Sequence, residues 1–176
     1  MKEKIKQVVY TVLWKIRRPN IRTTGFHIIR PGTEINLTKA GELCVGRHVC
    51  TQKRVVLSVP EGQMKIGDYV FFNRNCIVVC HKEILIGEHC AIGPNVVIYD
   101  HDHKYGAQGM MVNEFNVSPI IIEDNCWIGA NVTILKGTHI GQGCVIGAGS
   151  IVSGTIPPHS LVKSNRDLVI KPLEER

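Results

Sequence analysis

The residues best suited to chemistry lie in one short run, Tyr99-Asp100-His101-Asp102-His103. Imidazole takes a proton near neutral pH, and an adjacent carboxylate or carbonyl fixes which ring nitrogen carries it. A general base is therefore one reading of His101 or His103. A second reading is a metal site, because two histidines separated by one residue on a strand share a face. That site needs a third ligand from elsewhere, and His81 is available. A third reading is two surface histidines at the mouth of a loop. The run alone leaves all three open.

The seven cysteines offer less. No CxxC pair occurs, and no Cys/His set has zinc-finger spacing. Cys80 and Cys90 are formal candidates for a covalent nucleophile, but nothing in the sequence pairs either with His103. Seven cysteines without a secretory leader suggest reduced thiols and a cytoplasmic protein.

The elements that must position these residues are set by a repeat. From Ile122 an aliphatic residue returns at every sixth position: Ile128, Ile134, Ile140, Ile146 and Val152. An earlier array in the same phase runs through Ile66, Phe72 and Val78, then Ile86, Ile92 and Ile98, with a weaker start at Val45. The step from Val78 to Ile86 is eight, which predicts a two-residue bulge there. Neither helical nor simple strand periodicity accounts for a period of six. A prism does: each aliphatic points inward from a short strand, the chain turns a corner, and three units complete a coil that stacks on the next. Cys76, Cys90, Cys126 and Cys144 fall at the small inward position of the unit, where cysteine serves as a compact hydrophobe.

Three segments leave the repeat. Residues 104–118 fit no six-residue register and are expected to loop out of the prism immediately after His103. The coils are expected to end at Ile156-Pro157-Pro158, with residues 159–176 forming a cap or tail in which Leu168, Val169 and Ile170 supply a closing strand. At the other end, residues 1–20 are predicted to form an amphipathic helix with Ile5, Val8, Val9, Val12, Leu13 and Ile16 on one face. Its basic residues carry most of the net charge of +6, so the remainder is close to neutral and nucleic acid is not an expected partner. The helix is expected to cap the prism, a solenoid end needing cover. The alternative is peripheral contact of residues 1–18 with anionic lipid at the inner face of the membrane. No run is long and apolar enough to span a bilayer.

The stretches IGPNVVIYDHDH and NCWIGANVTILKGTHIGQGCVIGAGSIVSGTIPP resemble the hexapeptide-repeat acyltransferases. The likeness covers about Ile66 to Pro158 and is greatest to sugar O-acetyltransferases of the galactoside and maltose branch and of capsule, exopolysaccharide and O-antigen loci. It implies an all-β, left-handed parallel β-helix, acetyl-CoA as acyl donor with no metal, and a homotrimer with active sites between subunits. By position it implies that His103 is the general base, with His101 also at the acceptor. Asn73 then contacts the acceptor beside the base. Trp127, Ala130, Ala148 and Ser153 line the donor cleft, Ala130 through its backbone N–H. The sequence departs from the family at Gly154 and Leu168, where basic residues are usual, so CoA phosphate contacts fall to residues such as Lys171, Lys163 and Arg166. Ser164-Asn165-Arg166-Asp167 replaces another familiar segment.

The expected activity is O-acetylation of a sugar hydroxyl in surface-polysaccharide synthesis. Rival readings are the same transfer to a serine, an amino sugar or an antibiotic, a non-catalytic β-helix scaffold, and a metal-dependent protein of the γ-class carbonic anhydrase type using His81, His101 and His103.

Overall fold

The computed structural model describes residues 19–164. Residues 19–20 form a turn; residues 1–18 of the helix expected over 1–20, the strand expected at 168–170, Arg166 and Lys171 lie outside the described residues. Between them the chain winds as a left-handed parallel β-helix, with no helix among the described residues.

Three parallel sheets form its walls, of seven, seven and six strands. The first runs from Ile21–Thr23 through Gly41–Val45, Gly62–Ile66, Glu83–Ile86, Ile120–Ile122 and His139–Ile140 to Thr155–Ile156. The second stacks Ile28–Ile29, Cys50–Thr51, Phe71–Phe72, Ala91–Ile92, Trp127–Ile128, Val145–Ile146 and Leu161–Val162. The third stacks Glu34–Leu37, Val56–Val59, Ile77–Val79, Val97–Tyr99, Thr133–Ile134 and Ile151–Val152. Two coils thus precede the phase seen from Ile66. They are hard to read because inward positions hold Thr51 and His27 in place of aliphatics, both buried. At the other end, Thr155–Ile156 and Leu161–Val162 continue the first and second sheets, so coiling runs past residue 158 to Val162.

The six-residue unit works through alternation and corners. In the two-residue strand Trp127–Ile128, Trp127 faces out while Ile128 is fully buried. Columns of Ile86, Ile122 and Ile140, of Phe72, Ile92, Ile128 and Ile146, and of Val78, Ile98 and Ile134 fill the interior. Each fully buried aliphatic contributes about 1.5–3 kcal/mol relative to exposure. The cysteines occupy the same interior: Cys90, Cys126 and Cys144 stand in one column, and burial pushes the Cys76 thiol up to about 11.

Turning a corner takes one residue in the left-handed region, which suits Asn or Gly. Asn75, Asn95 and Asn131 occupy it at φ near 60° on successive coils between the second and third sheets. Their side-chain amides join coil to coil, Asn75 Nδ2 donating to Asn95 Oδ1 at 2.9 Å and Asn95 Nδ2 to Asn131 Oδ1 at 3.0 Å. At the same corner successive backbones nearly touch, since a Cβ on Gly129 would lie 2.7 Å from Ala148 N.

The segment expected to loop out at 104–118 leaves the three prism sheets as part of an antiparallel hairpin. Its strands are His101–Gly106 and Gly109–Val117, with His101 opposite Val117 and His103 opposite Phe115. It departs from the corner between the third and first sheets. On the coil below, the same corner carries the predicted two-residue bulge, at His81-Lys82.

Candidate active site

Asp100 ends the third-sheet side of its coil and is completely buried. A buried carboxylate is costly unless hydrogen-bonded. The bulge below answers that requirement: backbone N–H groups of His81, Lys82 and Glu83 donate to its oxygens at 2.7–3.0 Å. The remaining direction is taken by His101, whose Nδ1 lies 3.2 Å from Asp100 Oδ1. Two residues missing from the simple six-residue unit therefore build a seat for the acid that precedes the histidine strand.

Five rings gather around this seat. His81 and His101 stand 4.1 Å apart by ring centroids, and Phe115 lies 4.4 Å from His81, 5.2 Å from His101 and 4.7 Å from His103. Tyr99 meets His101 edge-on. Across the cluster His81 Nδ1 pairs with Glu61 Oε1 at 2.9 Å. The His101 side chain is only 13% exposed, and this burial, with His81 and His103 nearby, holds its pKa below the ordinary histidine value of 6.5 despite Asp100. His103 Nδ1 is buried without a hydrogen-bond partner. The hairpin is braced by Lys104 Nζ on Glu114 Oε2 at 3.1 Å, and its neighbour Asp102 pairs with Lys136 Nζ at 3.3 Å.

The other candidate residues stand on a different edge. Asn73 follows Phe71–Phe72, where the second sheet turns toward the third, and its Oδ1 accepts from Arg74 N at 2.8 Å. Ala130 and Ala148 occupy the same corner on higher coils, joined by a 2.8 Å bond from Gly149 N to Ala130 O. Trp127 projects from the adjoining sheet face, 58% exposed. One edge of the prism thus carries Asn73, Ala130 and Ala148. The edge between the third and first sheets carries His101, His103 and, higher up, exposed Ser153. Within the chain Asn73 is not brought to either histidine.

Glu61 and Phe115 were not singled out from the sequence. Glu61 reaches the cluster only because its coil stacks below His81, and Phe115 only through hairpin register. Asp100 had a signal, its adjacency to His101. Cys80 is fully buried beside Asp100, and Cys90 lies in the core; burial raises the Cys80 thiol, and the neighbouring Cys126 thiol together with burial raises that of Cys90, so neither is poised as a nucleophile. Among the described residues no group of three His, Cys, Asp or Glu side chains has metal-holding geometry.

The family described as hexapeptide repeat of succinyl-transferase matches residues 119–153, the coils directly above the hairpin. The chain's relatives are the hexapeptide-repeat acetyltransferases. It is 30% identical over 161 residues to a probable acetyltransferase of Mycobacterium tuberculosis, covering 90% of this chain and 54% of the relative. With the galactoside O-acetyltransferase of Lactococcus lactis it shares 31% identity over 137 residues, 74% of this chain and 63% of that one. The chain spans about half the length of the first curated relatives it matches. Among solved structures its fold is similar to that of AntD, an N-acyltransferase from Bacillus cereus solved as a variant with dTDP-4-amino-4,6-dideoxyglucose and coenzyme A. That similarity has a TM-score of 0.69 at 16% identity and covers 85% of this chain and 82% of the other. In this hexapeptide-repeat chain, the histidine hairpin therefore sits on a fold that carries acyl transfer elsewhere.

Proposed function

We propose that the protein is an acetyl-CoA-dependent O-acetyltransferase acting on a sugar hydroxyl, with a place in surface-polysaccharide synthesis. The observation that carries this reading is the division of the candidate residues between two prism edges. One edge offers the imidazoles of His101 and His103, while the other offers Asn73, a close-packed Gly129/Ala130/Ala148 corner and an exposed Trp127 beside it. The small side chains at that corner put little bulk between the backbone and a thin pantetheine arm.

In a homotrimer, heterologous contact around a threefold axis brings the histidine edge of one subunit against the Asn73 edge of the next. His103 then takes the proton of the acceptor hydroxyl as that oxygen attacks the thioester carbonyl. The carbon–sulfur bond breaks, the acetyl group passes to the sugar oxygen, and the imidazolium returns the proton to the departing CoA thiolate. The backbone N–H of Ala130 faces the developing oxyanion. Ala148 and Ser153 flank the donor, Asn73 and His101 hold the acceptor, and Lys171 is assigned to the CoA phosphates. Location in the cytoplasm belongs to the same proposal.

The test is acetyl-CoA consumption against a panel of sugars, nucleotide sugars and lipid-linked glycans. An acetylated sugar ester is the expected product, and His103→Ala is expected to lower turnover by about 10²–10⁴-fold. Near-normal turnover in that variant removes His103 as the base. Absence of any sugar ester across the panel, with an amine or a serine acetylated in its place, removes the acceptor class.

A further inference from the structure

The two histidines on the hairpin strand are not held alike. His101 has Nδ1 at 3.2 Å from a carboxylate oxygen of Asp100, whereas His103 Nδ1 is buried with no partner. The Asp100 carboxylate is itself immobilised, since both oxygens already accept N–H bonds from the bulge at His81-Lys82 and the strand residue Glu83 after it. An ionised carboxylate only accepts, so an imidazole facing it must place its proton on Nδ1 and its lone pair on Nε2. His81, which packs on the other side of His101, is occupied by Glu61 through its own Nδ1.

We propose that Asp100 is a positioning residue that locks His101 in the Nδ1–H form, so that Nε2 of His101 is a second, pre-set acceptor for the substrate hydroxyl beside His103. The claim rests on the acyl-transfer reading. The eight-residue step from Val78 to Ile86 then has a purpose beyond geometry, because its two additional residues, His81 and Lys82, supply two of the three backbone amides that hold the carboxylate still. The acceptor hydroxyl meets one ring whose tautomer is fixed by the fold, on a strand whose other histidine has no hydrogen-bond partner at Nδ1.

Replacing Asp100 by Asn tests the lock. An amide keeps one oxygen for the bulge and turns an NH₂ donor toward the ring, which drives the His101 proton from Nδ1 to Nε2. Imidazole ¹⁵N shifts of the full chain are expected to show Nδ1–H at His101 in the unmodified protein and Nε2–H in Asp100→Asn. With an acceptor found by the sugar panel, Asp100→Asn and His101→Ala are each expected to lower kcat/KM by about 10²-fold. The double variant is expected to lose no more than His101→Ala alone, the non-additivity of residues acting as one unit.

Nε2–H at His101 in the unmodified chain overturns the lock, and this measurement does not depend on Asp100→Asn folding. Additive losses in the double variant overturn the positioning role and leave Asp100 a purely structural seat. Failure of the unmodified chain to transfer any acyl group overturns the functional reading instead, and the ¹⁵N result stands apart from it.

Discussion

At the scale of single residues the site is governed by what surrounds His101. Burial is the largest influence on it, opposed by Asp100 and reinforced by His81 and His103, and the net effect is a pKa below 6.5. Phe115 packs its ring against all three histidines. Phe115→Ala is therefore expected to admit water and raise the His101 pKa toward 6.5, read by NMR titration of the ring; an unchanged value shows that Phe115 is not the cover. A depressed histidine pKa means that the unfolded chain binds the proton more readily. The stabilisation from neutral His101 is thus present above pH 6.5 and is lost as pH falls through 6.5 toward the lower folded value. Thermal melting is expected to drop across that acid window, with a shallower slope in Phe115→Ala. The adjacency of Asp100 and His101 was readable in the sequence. The seat under Asp100 was not, because its amides come from 17–19 residues earlier and act through backbone groups that carry no residue code.

At the scale of the element the corner and the coil face are the units. Asn95 holds a left-handed corner and bridges Asn75 to Asn131 with its side chain. Asn95→Gly keeps the backbone easy and loses only the bridges, whereas Asn95→Ala loses both. The Ala variant is expected to be less stable than the Gly variant by about 1–2 kcal/mol, measured by denaturant unfolding. Ile128 is fully buried mid-prism, and Ile128→Ala is expected to cost about 2–5 kcal/mol. The coils from Ile66 to Val152 were legible because Ile, Val and Phe recur at one spacing. The first coils hid behind Thr51 and His27 at inward positions. The hairpin hid for another reason: most of Gly109–Val117 is exposed on both faces, so no alternation marks it.

At the scale of the whole molecule, the two functional edges belong to different corners of one prism. Under the proposed function, a complete site draws on two chains. The expectation is complementation: mixing unfolded His103→Ala and Asn73→Ala chains and refolding them together restores activity that neither has alone. Random assembly rebuilds roughly one site in four, each from an intact histidine edge and an intact Asn73 edge. No recovery on mixing places the site within a single chain. This division between edges was not available from the sequence, where Asn73 and His103 are merely thirty residues apart.

The hairpin also has a consequence for how the chain folds. Strands in neighbouring coils are mostly about twenty residues apart in sequence, as in Ile86 with Ile66 or Ile28 with Cys50. Across the hairpin the separation jumps, Ile84 pairing with Ile120. The coils can add one upon another as local closures, and topology of this kind favours speed. The junction at Ile120 is the single large closure in the series among the described residues, unless residues 101–117 zip first and shorten the gap. Early zipping makes the strand that carries His101 and His103 a gate in the order of assembly, and a variant that loosens its turn at Gly106–Gly109 is expected to slow refolding while leaving the finished prism nearly as stable.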